Sequence, residues 1–187
     1  DDRSSTPVPS STGIPDGTPA STGSGGSWCG RPGPATVVAM TADITLRGPD
    51  DIVSVLPYHL GYHPRDSVVA VSLRGRLLGL VARADIPPPG HEDAVASWLV
   101  GPLVRDGASA VIVVGFEDEP DAARPVALSV AEHLERAGVE VLDVTVVRDG
   151  RRYSPRCSKA CCPPEGVVLP EPASVPGVAE FVARGRS

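Results

Sequence analysis

The chain has 187 residues, with 17 Lys and Arg against 23 Asp and Glu and a formal net charge of −6, a balance that argues against a strongly basic nucleic-acid binder. Gly (20) and Pro (21) are abundant, aromatic residues make up only 4%, and the four cysteines are too few for a disulfide-dense scaffold. The length allows one domain plus a tail, and no apolar run reaches the roughly 18 residues that a membrane-spanning helix needs.

Residues 1–39 read as a disordered tail. Of the first 40 residues, 25 are Gly, Pro, Ser or Thr, and such a segment has too little apolar surface to offset the entropy of ordering its backbone. It lacks the basic start and apolar stretch of a secretory signal. Gly23, Gly25 and Gly26 have no strand before them and no helix after them, so they form no phosphate loop. Met40 is the only Met and directly precedes the first patterned stretch. It is therefore the expected natural start, with residues 1–39 an extension; a flexible tether is the alternative. Residues 40–187 read as a single domain.

Within that domain, the spacing of Ile52, Val53, Leu56 and Leu60 predicts a helix over Asp50–Leu60. Pro57 should kink or shorten it, and Gly61 ends it. Ser67–Leu73 and Arg76–Ile86 read as two strands of a hairpin, and Pro87-Pro88-Pro89-Gly90 breaks the chain after them. Glu92–Val104 reads as an amphipathic helix with Val95, Trp98, Leu99 and Leu103 on its apolar face. Ser109–Phe116 (SAVIVVGF) is a near-continuous apolar run, the pattern of a strand covered on both faces, as in a parallel sheet. The acidic loop Glu117–Asp121 follows; it reads as a solvated connection, with divalent-cation binding as the alternative. Pro125–Ala137 is the best-marked helix, closed by Gly138. Val139–Val147 is a strand, Asp149-Gly150 a hairpin turn, Arg151–Ser154 a short edge strand and Val178–Arg184 a last helical segment. Two successive strand–helix–strand units predict an α/β fold: a single mixed, largely parallel sheet with helices packed against it.

Two regions carry chemistry. The first is Arg148–Pro164, where Cys157, Cys161 and Cys162 stand among Arg148, Arg151, Arg152, Arg156 and Lys159. Positive charge favours thiolates, and three close thiols can hold zinc with a histidine, His59 or His63, as fourth ligand. The three-residue gap from Cys157 to Cys161 and the adjacency of Cys161 and Cys162 are unusual for zinc. Partly buried structural cysteines, a metal site and a redox pair all remain readings of this cluster; Cys29 lies in the tail and takes no part. The basic residues read either as an anion or phosphate site or as a solvated hairpin with arginines alternating outward.

The second region is Pro57–Ser67 (PYHLGYHPRDS), whose Tyr62, His63, Asp66 and Ser67 place polar side chains in one short loop. A Ser67–His63–Asp66 triad would need members from separated segments and a nucleophile elbow, and neither is present. A rigid turn built on Pro64 is the plainer reading.

The strings LPYHLGYHPRDSVVAVSLRG (Leu56–Gly75) and DGRRYSPRCSKACCPPEG (Asp149–Gly166) together resemble the actinobacterial domain-of-unknown-function 4192 family. Pro57, Leu60-Gly61, His63-Pro64 and Asp66-Ser67 match its first motif. Tyr153, Cys157, Cys161, Cys162, Pro163, Glu165 and Gly166 match its second. The resemblance spans roughly Leu46 to Gly185 and supports the fold and the start at Met40, but brings no activity with it. His59 stands where the family is apolar, and the family domain is longer, which implies a shortened or truncated member.

The expectation is thus a cytoplasmic binding or regulatory module without established catalysis. Its surface combines Tyr62, His63, Asp66 and Ser67 with Arg151 and Arg152, and its partner is a small anionic ligand or another protein, with no membrane. The alternatives are a thiol-redox or zinc protein using Cys157, Cys161 and Cys162, and a hydrolase or phosphate-handling enzyme using Asp66, Ser67 and Arg152.

Overall fold

A computed structural model describes residues 36–38, 48–74 and 77–183. The tail expected over residues 1–39 and the start at Met40 lie outside them, apart from Thr36–Val38, which forms an edge strand. The elements in chain order are β1 (Thr36–Val38), α1 (Pro49–Leu60), β2 (Ser67–Arg74), β3 (Leu77–Asp85), α2 (Glu92–Arg105) and β4 (Ala110–Phe116). They continue with α3 (Arg124–Arg136), β5 (Glu140–Arg148), β6 (Arg151–Tyr153), β7 (Val167–Val168), a 3-10 turn at Pro172–Ser174 and α4 (Pro176–Ala183).

The strands form one sheet in the order β1-β3-β2-β4-β5-β6-β7. The expectation of a largely parallel sheet is wrong: among the described residues β4 and β5 are the one parallel pair, and every other neighbour is antiparallel. The cause lies in the β2–β3 hairpin. The units β3–α2–β4 and β4–α3–β5 do join co-directional strands, but β2 rather than β3 takes the place beside β4 and enters antiparallel between them. Both crossovers advance across the sheet in the same direction, and their shared handedness places α2 and α3 on one face.

That face buries Val95, Leu99 and Leu103 of α2 with Val126, Val130 and Leu134 of α3 over Val68, Val111, Val113 and Val144. On the other face α1 and α4 cover Val69, Val71, Ile112, Val114 and Phe116 through Ile52, Val55, Leu56 and Val178. β4 is buried along its whole length because both faces are covered. Trp98 does not join the α2 core: it is 44% exposed, and Ala96 and Val100 are buried instead. Pro57 does not end α1, which runs on to Leu60, where the Gly61 N–H at φ +77° closes it onto the Pro57 carbonyl at 2.9 Å. Asp149 and Gly150 both adopt positive φ, as the predicted hairpin turn requires. No helix among the described residues is long and apolar enough to cross a membrane.

Candidate functional site at the carboxyl edge of the parallel strands

β4 and β5 end side by side at Phe116 and Arg148, and the residues that follow them build the site. Glu117 is not part of a solvated loop: its side chain is 2% exposed. Oε1 accepts the Asp121 N–H at 3.1 Å and an Arg148 Nη1–H at 2.7 Å, while Oε2 accepts the Ala123 N–H at 2.8 Å. One carboxylate therefore satisfies two N–H groups in the turn leading into α3 and neutralises an arginine whose side chain is itself 19% exposed. The Arg148 guanidinium also lies over the Tyr153 ring, 4.6 Å from its centroid. α3 comes this close because residue 115 is glycine: a Cβ there would stand 2.7 Å from the Ala123 Cβ.

The Glu117–Arg148 pair is the wall shared by two cavities. The larger, about 820 Å³, is bounded by Arg124 at the start of α3, Tyr153, and the segment from Ser154 to Glu165 that includes Cys157, Lys159 and Cys162. The smaller, about 590 Å³, lies against α1 and is bounded by Tyr58, His63, Pro64, Asp118, Asp149 and Glu171 among others. Tyr153 pairs with Val146 and Phe116 with Val147, so these lining residues point to opposite faces of the sheet.

The Tyr62–Ser67 corner is fastened to this edge. The Asp118 N–H donates to Asp66 Oδ1 at 3.1 Å, and the Ile86 N–H to the Asp66 carbonyl at 2.9 Å. Asp66 adopts φ +37° to do so. His63 lines the smaller cavity; Tyr62 stays outside it, its ring 5.8 Å from the Arg83 guanidinium. Ser67 is fully buried at the start of β2, and its Oγ has no hydrogen-bond partner, so no Ser67–His63 hydrogen bond exists. Ser67, Phe116, Val147 and Arg152 form one row across four strands on the same face. Three strand spacings put Ser67 and Arg152 about 14 Å apart, with Phe116 and Val147 between them. A site shared by Asp66, Ser67 and Arg152 is not assembled.

The arginines of the hairpin are half-buried and partnered. Arg152 is held by Asp50 of α1, and its Nη1 reaches the Ser154 hydroxyl at 3.4 Å. Arg151 donates to the carbonyls of Glu165 (3.3 Å) and Gly166 (3.1 Å), stapling the end of the cysteine segment to β6. Gly166, at φ +75°, packs its Cα against Tyr153, where a Cβ would meet the ring at 2.8 Å. Arg156 pairs with Glu135 of α3.

Between these anchors the backbone folds through two short turns, Cys157 N–H to the Ser154 carbonyl at 3.1 Å and Cys162 N–H to the Lys159 carbonyl at 2.8 Å. The sulfurs converge: Cys157–Cys161 is 4.0 Å and Cys161–Cys162 is 3.8 Å, and all three lie within 4.8 Å of one another. None is buried and none is in a disulfide. The neighbouring Cys162 and Cys157 thiols push the Cys161 thiol above its ordinary pKa. The Ser154 hydroxyl, then Cys157, draw Cys162 below it, against burial and with help from Cys161 and Arg152. Neither His59 nor His63 belongs to this cluster; among the described residues the group consists of the three cysteines.

Glu117 is the residue that sequence reasoning missed. Its signal was its position: the first residue after a buried strand and seven before the helix start at Arg124, where a carboxylate can fold back onto free N–H groups. Neither the curated proteins nor the solved structures contain a match to this chain. A family model does match, over residues 49–187, and it covers both the His63-Pro64 corner and the cysteine segment: the chain belongs to the family described as domain of unknown function DUF4192.

Proposed function

We propose that the domain is a binding module for a small anionic molecule, seated in the larger cavity at the carboxyl edge of β4 and β5. The observation that carries this reading is the cavity's lining: four basic side chains (Arg124, Arg148, Arg156, Lys159) against three acidic ones. Arg148 is committed to Glu117. The pairs Arg124–Asp121 and Arg156–Glu135 are solvent-exposed, and such pairs contribute only about 0–1 kcal/mol, so a ligand can displace them cheaply. Lys159 makes no ion pair among the described residues and is the free cation. The volume falls within the range of about 300–1,000 Å³ for small-molecule sites, and the carboxyl ends of parallel strands are where open α/β sheets take ligands. The free thiols suit a reducing compartment, and we read the chain as cytoplasmic on that ground.

Thermal melting of the full chain with inorganic phosphate, a dicarboxylate and a sugar phosphate, each against a neutral sugar, tests the reading. At least one anion should raise Tm in a concentration-dependent way, and Lys159→Glu should weaken that effect about tenfold or more, near 1.4 kcal/mol. No anion effect, or an effect unchanged in Lys159→Glu, contradicts it.

A further inference from the structure

We infer that Cys157, Cys161 and Cys162 form a three-thiolate site for one soft divalent metal ion, zinc being the ion to test. The inference stands apart from the anion reading, because either can fail without the other.

The geometry carries it. Zinc binds thiolates at about 2.3 Å in a tetrahedron, which sets the sulfurs about 3.8 Å apart. Two of the three separations are already 3.8 and 4.0 Å, and the third does not exceed 4.8 Å. A metal ion at their centre therefore needs only small side-chain rotations and no change of backbone. The adjacency of Cys161 and Cys162 is no obstacle, since the Lys159–Cys162 turn brings both sulfurs to one side.

Packing does not account for the trio. Unpaired cysteine is among the most buried residue types and behaves as a small hydrophobe in a core, yet Cys161 is exposed and the other two are only half-buried. Meanwhile the segment that presents them is held at both ends by the sheet, by the pairing of β6 with β5 before it and by Arg151 to the carbonyls of Glu165 and Gly166 after it. Pinning three side-by-side thiols at the surface fixes ligand positions without burying anything. Thiolates select zinc and related soft ions over calcium or magnesium. No further Cys, His, Asp or Glu among the described residues joins the group, and Cys157 and Cys162 line the larger cavity. Among the described residues the fourth coordination position is thus left to water or an external ligand, the arrangement of an open rather than a closed zinc site.

The test uses the full chain purified anaerobically without chelators, with elemental analysis, cobalt substitution and zinc competition against a chromophoric chelator. The expected result is one zinc per chain and an intense thiolate-to-cobalt charge-transfer band. Each of Cys157→Ser, Cys161→Ser and Cys162→Ser should weaken zinc more than about 100-fold, beyond the loss from removing an outer-shell partner. Cys29→Ser should leave affinity unchanged. Thermal melts of the metal-free variants, whose substitutions lie outside the core, establish that they fold. A stoichiometry near zero with the three thiols reduced, zinc retained when all three are replaced, or a disulfide within the trio in the anaerobic protein would overturn the inference.

Discussion

Glu117 shows how one side chain can decide a site. Its carboxylate joins a half-buried guanidinium to two N–H groups in the turn leading into α3, and removing it leaves that charge and both N–H groups unsatisfied, a cost of about 1–3 kcal/mol or more. Glu117→Ala should therefore lower unfolding free energy in urea by that amount, whereas Glu132→Ala, which removes the exposed i,i+4 pair with Arg136, should change it by less than about 0.5 kcal/mol. Equal effects would mean that the Glu117 pair is not organising the edge. The thiols give a second expectation. In the metal-free chain the Cys162 thiolate is favoured in the folded state and the Cys161 thiolate disfavoured, so as pH rises iodoacetamide should label Cys162 before Cys161, and unfolding should narrow the difference. Mass spectrometry of the labelled peptides reads the order; labelling of Cys161 before Cys162 in the folded chain would contradict it.

At the scale of elements, glycines separate close packing from local propensity. Gly115→Ala would push a methyl into the Ala123 Cβ across the β4–α3 contact and should destabilise by about 1–3 kcal/mol. Gly101→Ala, inside α2, would meet only the flexible end of Arg105 at 3.3 Å and should stabilise by about 0.5–1 kcal/mol through helix propensity. Thermal melts of the two variants should move in opposite directions. Much of this level was legible in the sequence, because 3.6-residue periodicity, Gly138 and the Asp149-Gly150 turn are local signals. Strand order was not. The apolar run of β4 correctly announced a strand covered on both faces, but burial does not say whether the neighbours run parallel, and β2 supplied an antiparallel one. β7 was missed because two residues carry no period, and Trp98 was misplaced because helical spacing alone does not say to which side of the Val95–Leu99–Leu103 line the buried stripe widens, here toward Ala96 and Val100.

At the scale of the whole molecule, one sheet edge gathers separated segments around the Glu117–Arg148 pair. The sequence singled out both the His63-Pro64 corner and the cysteine segment, since each is dense in polar side chains. It did not reveal that they belong to two cavities on opposite faces with that pair between them, because no local pattern encodes which face a loop returns to. Nor did it reveal that Arg151 and Arg152 are tied down by backbone carbonyls and by Asp50, partners as much as 102 residues away. The most direct test of the account is amide chemical-shift mapping of the full chain during titration with inorganic phosphate and the dicarboxylate. We predict saturable shifts centred on Asp121, Arg124, Arg148, Tyr153 and Lys159, with α2 and β3 unmoved. Saturable shifts confined to α2, β3 or the Tyr62 corner would contradict a binding site at the carboxyl edge.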